Sequence, residues 1–486
     1  MKKLLFVAGV LVLLFFSCDF DSIKVDDPKS KRFWAVNASN NTFYSIQASL
    51  LAEGRYCKVW AEKGSGVSET TAQNVAYAYD NNIYTKMVDA FSVTNFTYSG
   101  YKFSNILQFA DALTDGDGKF TILLLNIKDG YSKGVNDSYV AGYFWAGNVL
   151  QNDPRDPLLR YSNECDMIYV DTYPGVPGSE DSNMTLAHEL QHMMNILSTV
   201  VCGRTSAMDI WINEGLSAAA EYVYSGKPDE ARQKWFNQDP SGLIKRGNNF
   251  FVWDNRGNDN QYAVLDDYAT VSMFFQWLRL QAGGTSIYKD IISSGFYDHR
   301  SVMNALDAKT SDNYSDWGTL LKTWLAANYI NASTGRYGYM NEPVLKDLKA
   351  PTVATGATSL RLYPGEGVYS ITSSSGSTYP QGQIIKYAGL NRTSPQVSDT
   401  STYAGGALLT YNINTDIKGD YDQGTTTGVS SNAVINSQVR FVTPPLSGPY
   451  RIDAGDLLRR NGGNYAGISG MDFSDSLKAL KEEAGN

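Results

Sequence analysis

The residues of this chain best suited to chemistry lie in TLAHELQHMMN, residues 185–195. A helix turns 100° per residue, so His188 and His192 stand one turn apart on one face, where two imidazoles can converge on a single Zn²⁺. Glu189, three residues before His192, projects near the same face. There it can take a proton from an activated water without itself being a ligand. Leu186, Leu190, Met193, Met194 and Leu197 would bury the opposite side. Nothing in residues 184–201 is Pro or Gly, which predicts a continuous helix. H-E-x-x-H can arise by chance on amphipathic helices, but this chain has 3 histidines and two of them fall in the pattern.

A second helix is expected at WINEGLSAAAEY, residues 211–222, with Asn213 as its cap and Leu216, Ala219, Ala220 and Val223 as a packing stripe. Glu214, near its start, is a candidate third ligand. A catalytic zinc keeps three protein ligands and one open position, and two His plus one Glu meet that count. The plainer reading of Glu214 is a carboxylate favoured by the positive end of its helix. Glu221 lies two turns further on the same face.

H-E-x-x-H followed by N-E-G on a second helix resembles the gluzincin peptidases. NEGLSAAAEY is similar to the NEGFA-x-x-x-EY of the aminopeptidase N family, although the spacer from His192 to Glu214 is longer than is usual there. The wider run of DMIYVDT, LAHELQHMMN and WINEGLS resembles the hyicolysin family of secreted bacterial zinc endopeptidases, a likeness covering about residues 33–329. The resemblance implies that His188, His192 and Glu214 hold one Zn²⁺ per chain, that Glu189 is the general base, and that Glu221 orients a ligand. The longer spacer leaves the choice between Glu214 and Glu221 open. The implied fold is α+β and zincin-type, a small sheet plus the H-E-x-x-H helix and then a helical lobe. Substrate backbone would pair with an edge strand of that sheet. Tyr268, in DDYATVSMFF, stands where related peptidases carry a tyrosine near the scissile carbonyl, and Tyr262 is the next candidate for that oxyanion donor. His299 could serve the same purpose or be a surface loop residue. The G-x-M-E-N stretch common in zinc aminopeptidases is missing ahead of the zinc helix, which favours an endopeptidase acting on protein or peptide substrates. The competing reading is a lipid-anchored adhesin or glycan-binding protein with a non-catalytic metal site.

The remaining chain bounds where such an enzyme works. Residues 1–17 carry Lys2 and Lys3 before an apolar core, a secretory signal too short to span a bilayer. Ser17-Cys18 resembles a bacterial lipobox, so Cys18 is expected to carry lipid, with residues 18–32 as a tether. The protein is then exported and anchored to the bacterial cell envelope or surface, or otherwise secreted. Losing Lys2 and Lys3 takes the net charge from −9 to −11, which gives no electrostatic case for nucleic acid. Cys57, Cys165 and Cys202 permit one disulfide at most, and one pair is expected. DALTDGDGK, residues 111–119, places Asp111, Asp115 and Asp117 where their oxygens could meet Ca²⁺, although it also reads as a plain turn. Residues 33–345 are expected to form the zinc peptidase domain. Residues 346–486, rich in Ser, Thr, Gly and Tyr, are expected to form an all-β, sandwich-like accessory domain that binds glycans or a partner, or braces the enzyme.

Overall fold

The computed structural model describes residues 28–136, 138–203, 206–247, 250–252, 263–353, 362–379, 381–416 and 450–452. The signal segment, Cys18 and Tyr262 lie outside these residues. β1 (Ser30–Asn37), β2 (Thr42–Glu53) and β3 (Cys57–Glu62) form an antiparallel meander. Ser68 then caps α1 (Glu69–Ala78) by accepting the Thr71 N–H. A π turn, Tyr79–Ile83, joins α1 to α2 (Tyr84–Phe91). Val75, Tyr79, Ile83 and Met87, spaced four apart, are all buried. In a regular helix residues four apart drift by about 40° per step. The wider π turn removes part of that drift and keeps the stripe on the core.

A hairpin of β4 (Thr94–Tyr98) and β5 (Tyr101–Asn105) follows. Asn105 caps α3 (Ile106–Leu113). Next come β6 (Phe120–Leu125), β7 (Ser138–Val140), β8 (Gly142–Tyr143) and β9 (Met167–Asp171). The main sheet runs β1-β2-β3-β6-β9-β8, with β3, β6 and β9 parallel and β8 antiparallel at one edge. FTILLL and MIYVD are buried along their whole length, as befits parallel strands covered on both faces. Ile122, Leu124, Ile168 and Val170 face the large helical core, while Leu123, Leu125, Met167 and Tyr169 face a smaller one. From β9 the chain enters α4 (Glu180–Ile196), the helix that carries H-E-x-x-H. A second π turn, Leu197–Cys202, extends α4.

The helical lobe comprises α5 (Ile210–Ser225), α6 (Glu230–Gln238), α7 (Ile244–Gly247), α8 (Ala263–Gln281), α9 (Ser286–Ile292), α10 (His299–Asp307) and α11 (Trp317–Ile330). Its centre is aromatic: Trp211, Phe250, Phe274 and Trp324 meet edge to face or at a tilt. β10 (Gly367–Ile371), β11 (Ile385–Asn391), β12 (Gln396–Ser398) and β13 (Ala407–Asn412) then form a sheet ordered β10-β13-β11-β12. Its buried side joins the helical core through Tyr369, Ala388, Leu390 and Leu409. Tyr369 Oη donates to the Leu325 carbonyl at 2.9 Å, and Arg392 Nε donates to the Tyr329 carbonyl at 2.7 Å. β14 (Tyr450–Ile452) pairs in parallel with β7.

Among the described residues α11 packs on the buried side of the C-terminal sheet. Any further strands of residues 417–449 and 453–486 lie outside the described residues. The expected disulfide is absent: Cys57, Cys165 and Cys202 are free thiols. Cys57 starts β3 and Cys165 precedes β9, with β6 between them. Two strand spacings of about 4.8 Å exceed the ~7 Å that a disulfide can bridge between Cα atoms. Cys202 sits apart, at the end of the π turn after α4.

Gly215, the glycine of N-E-G, lies where α5 packs on α8, and a Cβ there would run into the Phe275 ring. Ala is the better helix former by about 1 kcal/mol, but overpacking a tight core costs about 1–3 kcal/mol. Gly215→Ala is therefore expected to lower stability in urea unfolding. Equal or greater stability would show that the ring moves aside freely.

Candidate metal centre

The site is built on two helices packed side by side. Ser179 opens α4 by accepting the Ser182 N–H, and Glu180 and Asp181 complement the positive end of the helix. From Ala187 onward nearly every residue of α4 is buried, His188, Glu189 and His192 included. α5 lies against it and is buried from Trp211 to Glu221. Asn213, expected as a cap, stands inside α5 instead. Its Oδ1 accepts the Asn195 side-chain N–H at 2.6 Å and pins the two helices together. The helix begins after Asp209.

His188, His192 and Glu214 bring one ligand atom each within 4.8 Å of one another. Glu214 Oε2 is 3.5 Å from His188 Nε2 and 3.4 Å from His192 Nε2. Charge-assisted hydrogen bonds close to about 2.7–2.9 Å. Ligand atoms about 2.1 Å from a shared tetrahedral ion stand about 3.4 Å apart. The observed separations match the second geometry. His192 Nε2 and Glu214 Oε1 are buried atoms that make no hydrogen bond, which also suits a donor set awaiting an ion. Burial would raise the Glu214 carboxyl, but the facing His192 and His188 outweigh it and hold it well below the usual carboxylate range. The donor chemistry of this cluster therefore fits zinc.

Behind each histidine stands a group that sets its tautomer. His188 Nδ1–H donates to Glu221 Oε1 at 2.9 Å, and Arg232 Nη2 donates to the same oxygen at 2.6 Å. The carboxylate so braced keeps the proton on Nδ1 and presents the Nε2 lone pair. Ser217 Oγ–H donates to Gln191 Oε1 at 2.6 Å, so the Ser217 oxygen accepts from His192 Nδ1–H at 3.1 Å. Glu214 and Glu221, which share one face of α5, thus divide: Glu214 meets both histidines and Glu221 lies behind His188. Ser217 and Gln191 stand one turn from Glu214 and His188, so helical spacing could have found them. Arg232, which reaches in from α6, carries no signal in the sequence.

Glu189 is placed by the sheet. Its Oε2 accepts the Phe144 N–H at 2.9 Å, just past β8. Gly142 is opposite Val170, and the Asp171 N–H donates to the Ala141 carbonyl. This makes Gly142 a non-hydrogen-bonded partner, so its own N–H and C=O point away from β9 to the open edge, the side to which the Phe144 N–H also points. The Glu189 carboxylate consequently lies along that edge. Gly142 must lack a side chain, since a Cβ would collide with Thr185 Cγ2 on α4 and with the Tyr169 carbonyl.

Tyr268 on α8 is buried, and its Oη donates to Glu214 Oε2 at 3.2 Å. The Arg232 guanidinium lies over its ring, 4.9 Å from the centroid. His299, the first residue of α10, packs against Trp317 at 5.6 Å between ring centroids. It is not one of the residues gathered at His188. Among the described residues no helix is long and apolar enough to cross a membrane.

No family model matches the chain. A comparison with characterised proteins finds it 28% identical over 340 residues to the neutral metalloprotease ShpI of Staphylococcus hyicus, across 68% of this chain and 69% of that protein. That likeness, with the His188, His192 and Glu214 cluster, supports placing the chain among metal-dependent proteases.

Proposed function

We propose that the chain is an extracytoplasmic zinc endopeptidase of the gluzincin type, similar to the hyicolysins. The observation that carries this reading is the convergence of His188, His192 and Glu214, with the Glu189 carboxylate alongside on the open edge of the sheet. Zinc held by the three would supply a Lewis acid for the scissile carbonyl and an acidified water. An extended peptide pairs with the outward N–H and C=O of Gly142, which sets its scissile bond along the edge where Glu189 lies. Glu189 accepts the proton of the attacking water and delivers it to the leaving amine. The Phe144 N–H fixes the rotation of that carboxylate. Tyr268, at the wall beside Glu214, is the donor proposed for the developing oxyanion. Glu221, braced by Arg232, keeps His188 aimed. The leader at residues 1–17 and the lipobox-like Cys18 support export and anchoring at the cell envelope.

The decisive experiment measures metal content and cleavage of casein or a quenched peptide by the chain from Asp19. About one zinc per chain and clear cleavage are expected. Glu189→Gln should keep the zinc and lose nearly all turnover; an active variant with intact metal would refute the base assignment. Zinc with no cleavage of any peptide would favour the surface-binding alternative.

The two carboxylates of α5 separate in a second measurement. Glu214→Ala should lose the metal, whereas Glu221→Ala should retain it with affinity weakened about 10–100-fold. The reverse pattern, read by competition with a chromogenic chelator, would exchange their roles.

Tyr268→Phe tests the oxyanion donor. Removing such a donor costs about 10²–10³ in kcat, so kcat should fall by that order while KM and zinc content hold. Lost zinc with unchanged turnover per bound metal would make Tyr268 a support for Glu214 instead.

A further inference from the structure

β6 and β9 are parallel neighbours, so the residues that precede them meet at one end of the sheet. Ahead of β6 run the last turn of α3, which carries Asp111, and the loop of Asp115 and Asp117; ahead of β9 stand Cys165 and Asp166. The Thr121 N–H donates to the Asp166 carbonyl at 3.0 Å and ties the two starts together. Asp111, Asp115 and Asp117 bring carboxylate oxygens within 4.8 Å of one another, and Asp115 does the same with Cys165 and Asp166. Sequence reasoning found the first three. Asp166 is some fifty residues away in the chain and only the sheet brings it in.

Asp166 distinguishes this cluster from an ordinary acidic turn. It is 2% exposed, and its Oδ1 is buried with no hydrogen-bond partner. An uncompensated buried carboxylate oxygen is costly, and three further aspartates nearby make it more so. The neighbouring oxygens are partly engaged. Asp111 Oδ1 accepts the Gly118 N–H at 2.7 Å, and Asp117 Oδ1 accepts the Lys119 N–H at 2.9 Å. Asp117 Oδ2 pairs with Lys58 Nζ at 2.5 Å, and Asp115 Oδ2 accepts the Cys165 thiol at 3.5 Å. Among the described residues Lys58 pairs directly with Asp117 and Lys31 acts on Asp115 at longer range, fewer positive charges than the four carboxylates. Gly116 and Gly118, at φ 62° and 77°, give the loop the sharp turns that fold its aspartates inward.

We propose that this end of the sheet is a second cation site, in which Asp111, Asp115, Asp117 and Asp166 hold one Ca²⁺. Oxygen donors on an irregular loop suit calcium, which takes six to eight oxygens in flexible geometry, better than magnesium, which demands a near-ideal octahedron. Burial, with the charges of Asp115, Asp111 and Asp117, pushes the Asp166 carboxyl well above its usual range when no ion is bound. The Cys165 thiol is already engaged as a donor to Asp115 Oδ2, which leaves the oxygens as the donors suited to calcium. The ion would clasp the loop before β6 to the strand that leads into α4.

The test uses the chain stripped with EDTA and reloaded with one equivalent of zinc, so that the two sites report separately. Calorimetric titration with Ca²⁺ should show about one further ion per chain, and melting should shift upward by several degrees in Ca²⁺ but not in Mg²⁺. Asp115→Asn and Asp166→Asn should each weaken calcium binding about tenfold or more with zinc content unchanged. Asp117→Asn, at an exposed position, covers the case in which the Asp166 variant does not fold. Full thermal stability on zinc alone, without heat from added Ca²⁺, would overturn the site. So would a calcium effect indifferent to these substitutions, or a second equivalent of Cd²⁺ or Zn²⁺ bound in preference to Ca²⁺ through Cys165.

Discussion

The constraint on which this structure depends is the burial of polar groups between α4 and α5. A hydrogen-bonding group taken out of water must find a partner inside, and the cost of failing is larger than the gain from any one success. Here the interface between the two helices holds His188 with Glu221, His192 with Ser217 and Gln191, and Asn195 with Asn213. These pairings hold only in one relative rotation and one relative height of the helices. A slip of α5 along α4 would strand several of them together. The geometry of the candidate site and the packing of the helices are thus the same restraint seen from two sides.

The sheet supplies the second half of the arrangement. α4 crosses it against the edge strand β8, close enough that Gly142 has no room for a side chain. The same approach puts Glu189 within reach of the Phe144 N–H. An edge strand normally invites unwanted pairing with other chains. This one is two residues long and flanked by α4, which limits such pairing.

Much of the site could be read before any fold was known, because a helical face is a local property. His188, Glu189 and His192 follow from spacing alone, and Glu214 from a second periodic segment. What local spacing could not do was rank Glu214 against Glu221, since both lie on one face and only the rotation of α5 against α4 separates them. Arg232 and Phe144 were invisible for the same reason: each arrives from another element. The central strands FTILLL and MIYVD read as short continuous apolar runs and the long helices as periodic stripes. The disulfide expectation failed because counting cysteines takes no account of the strand, β6, that stands between Cys57 and Cys165. Asn213 has a capping side chain, yet it is spent on Asn195 inside the interface. Asp166 joined the loop aspartates only through the parallel pairing of β6 with β9.

The contact between the C-terminal sheet and α11 bears on how this protein could have been assembled in evolution. Tyr369 and Arg392 donate to carbonyls of α11, and Leu390, Leu409 and Tyr411 belong to the same core as Trp324 and Phe274. Such a sheet is not a cassette that recombination can attach to or detach from a finished enzyme. A gene truncated near residue 345 would encode an unfinished lobe with an apolar flank open to water.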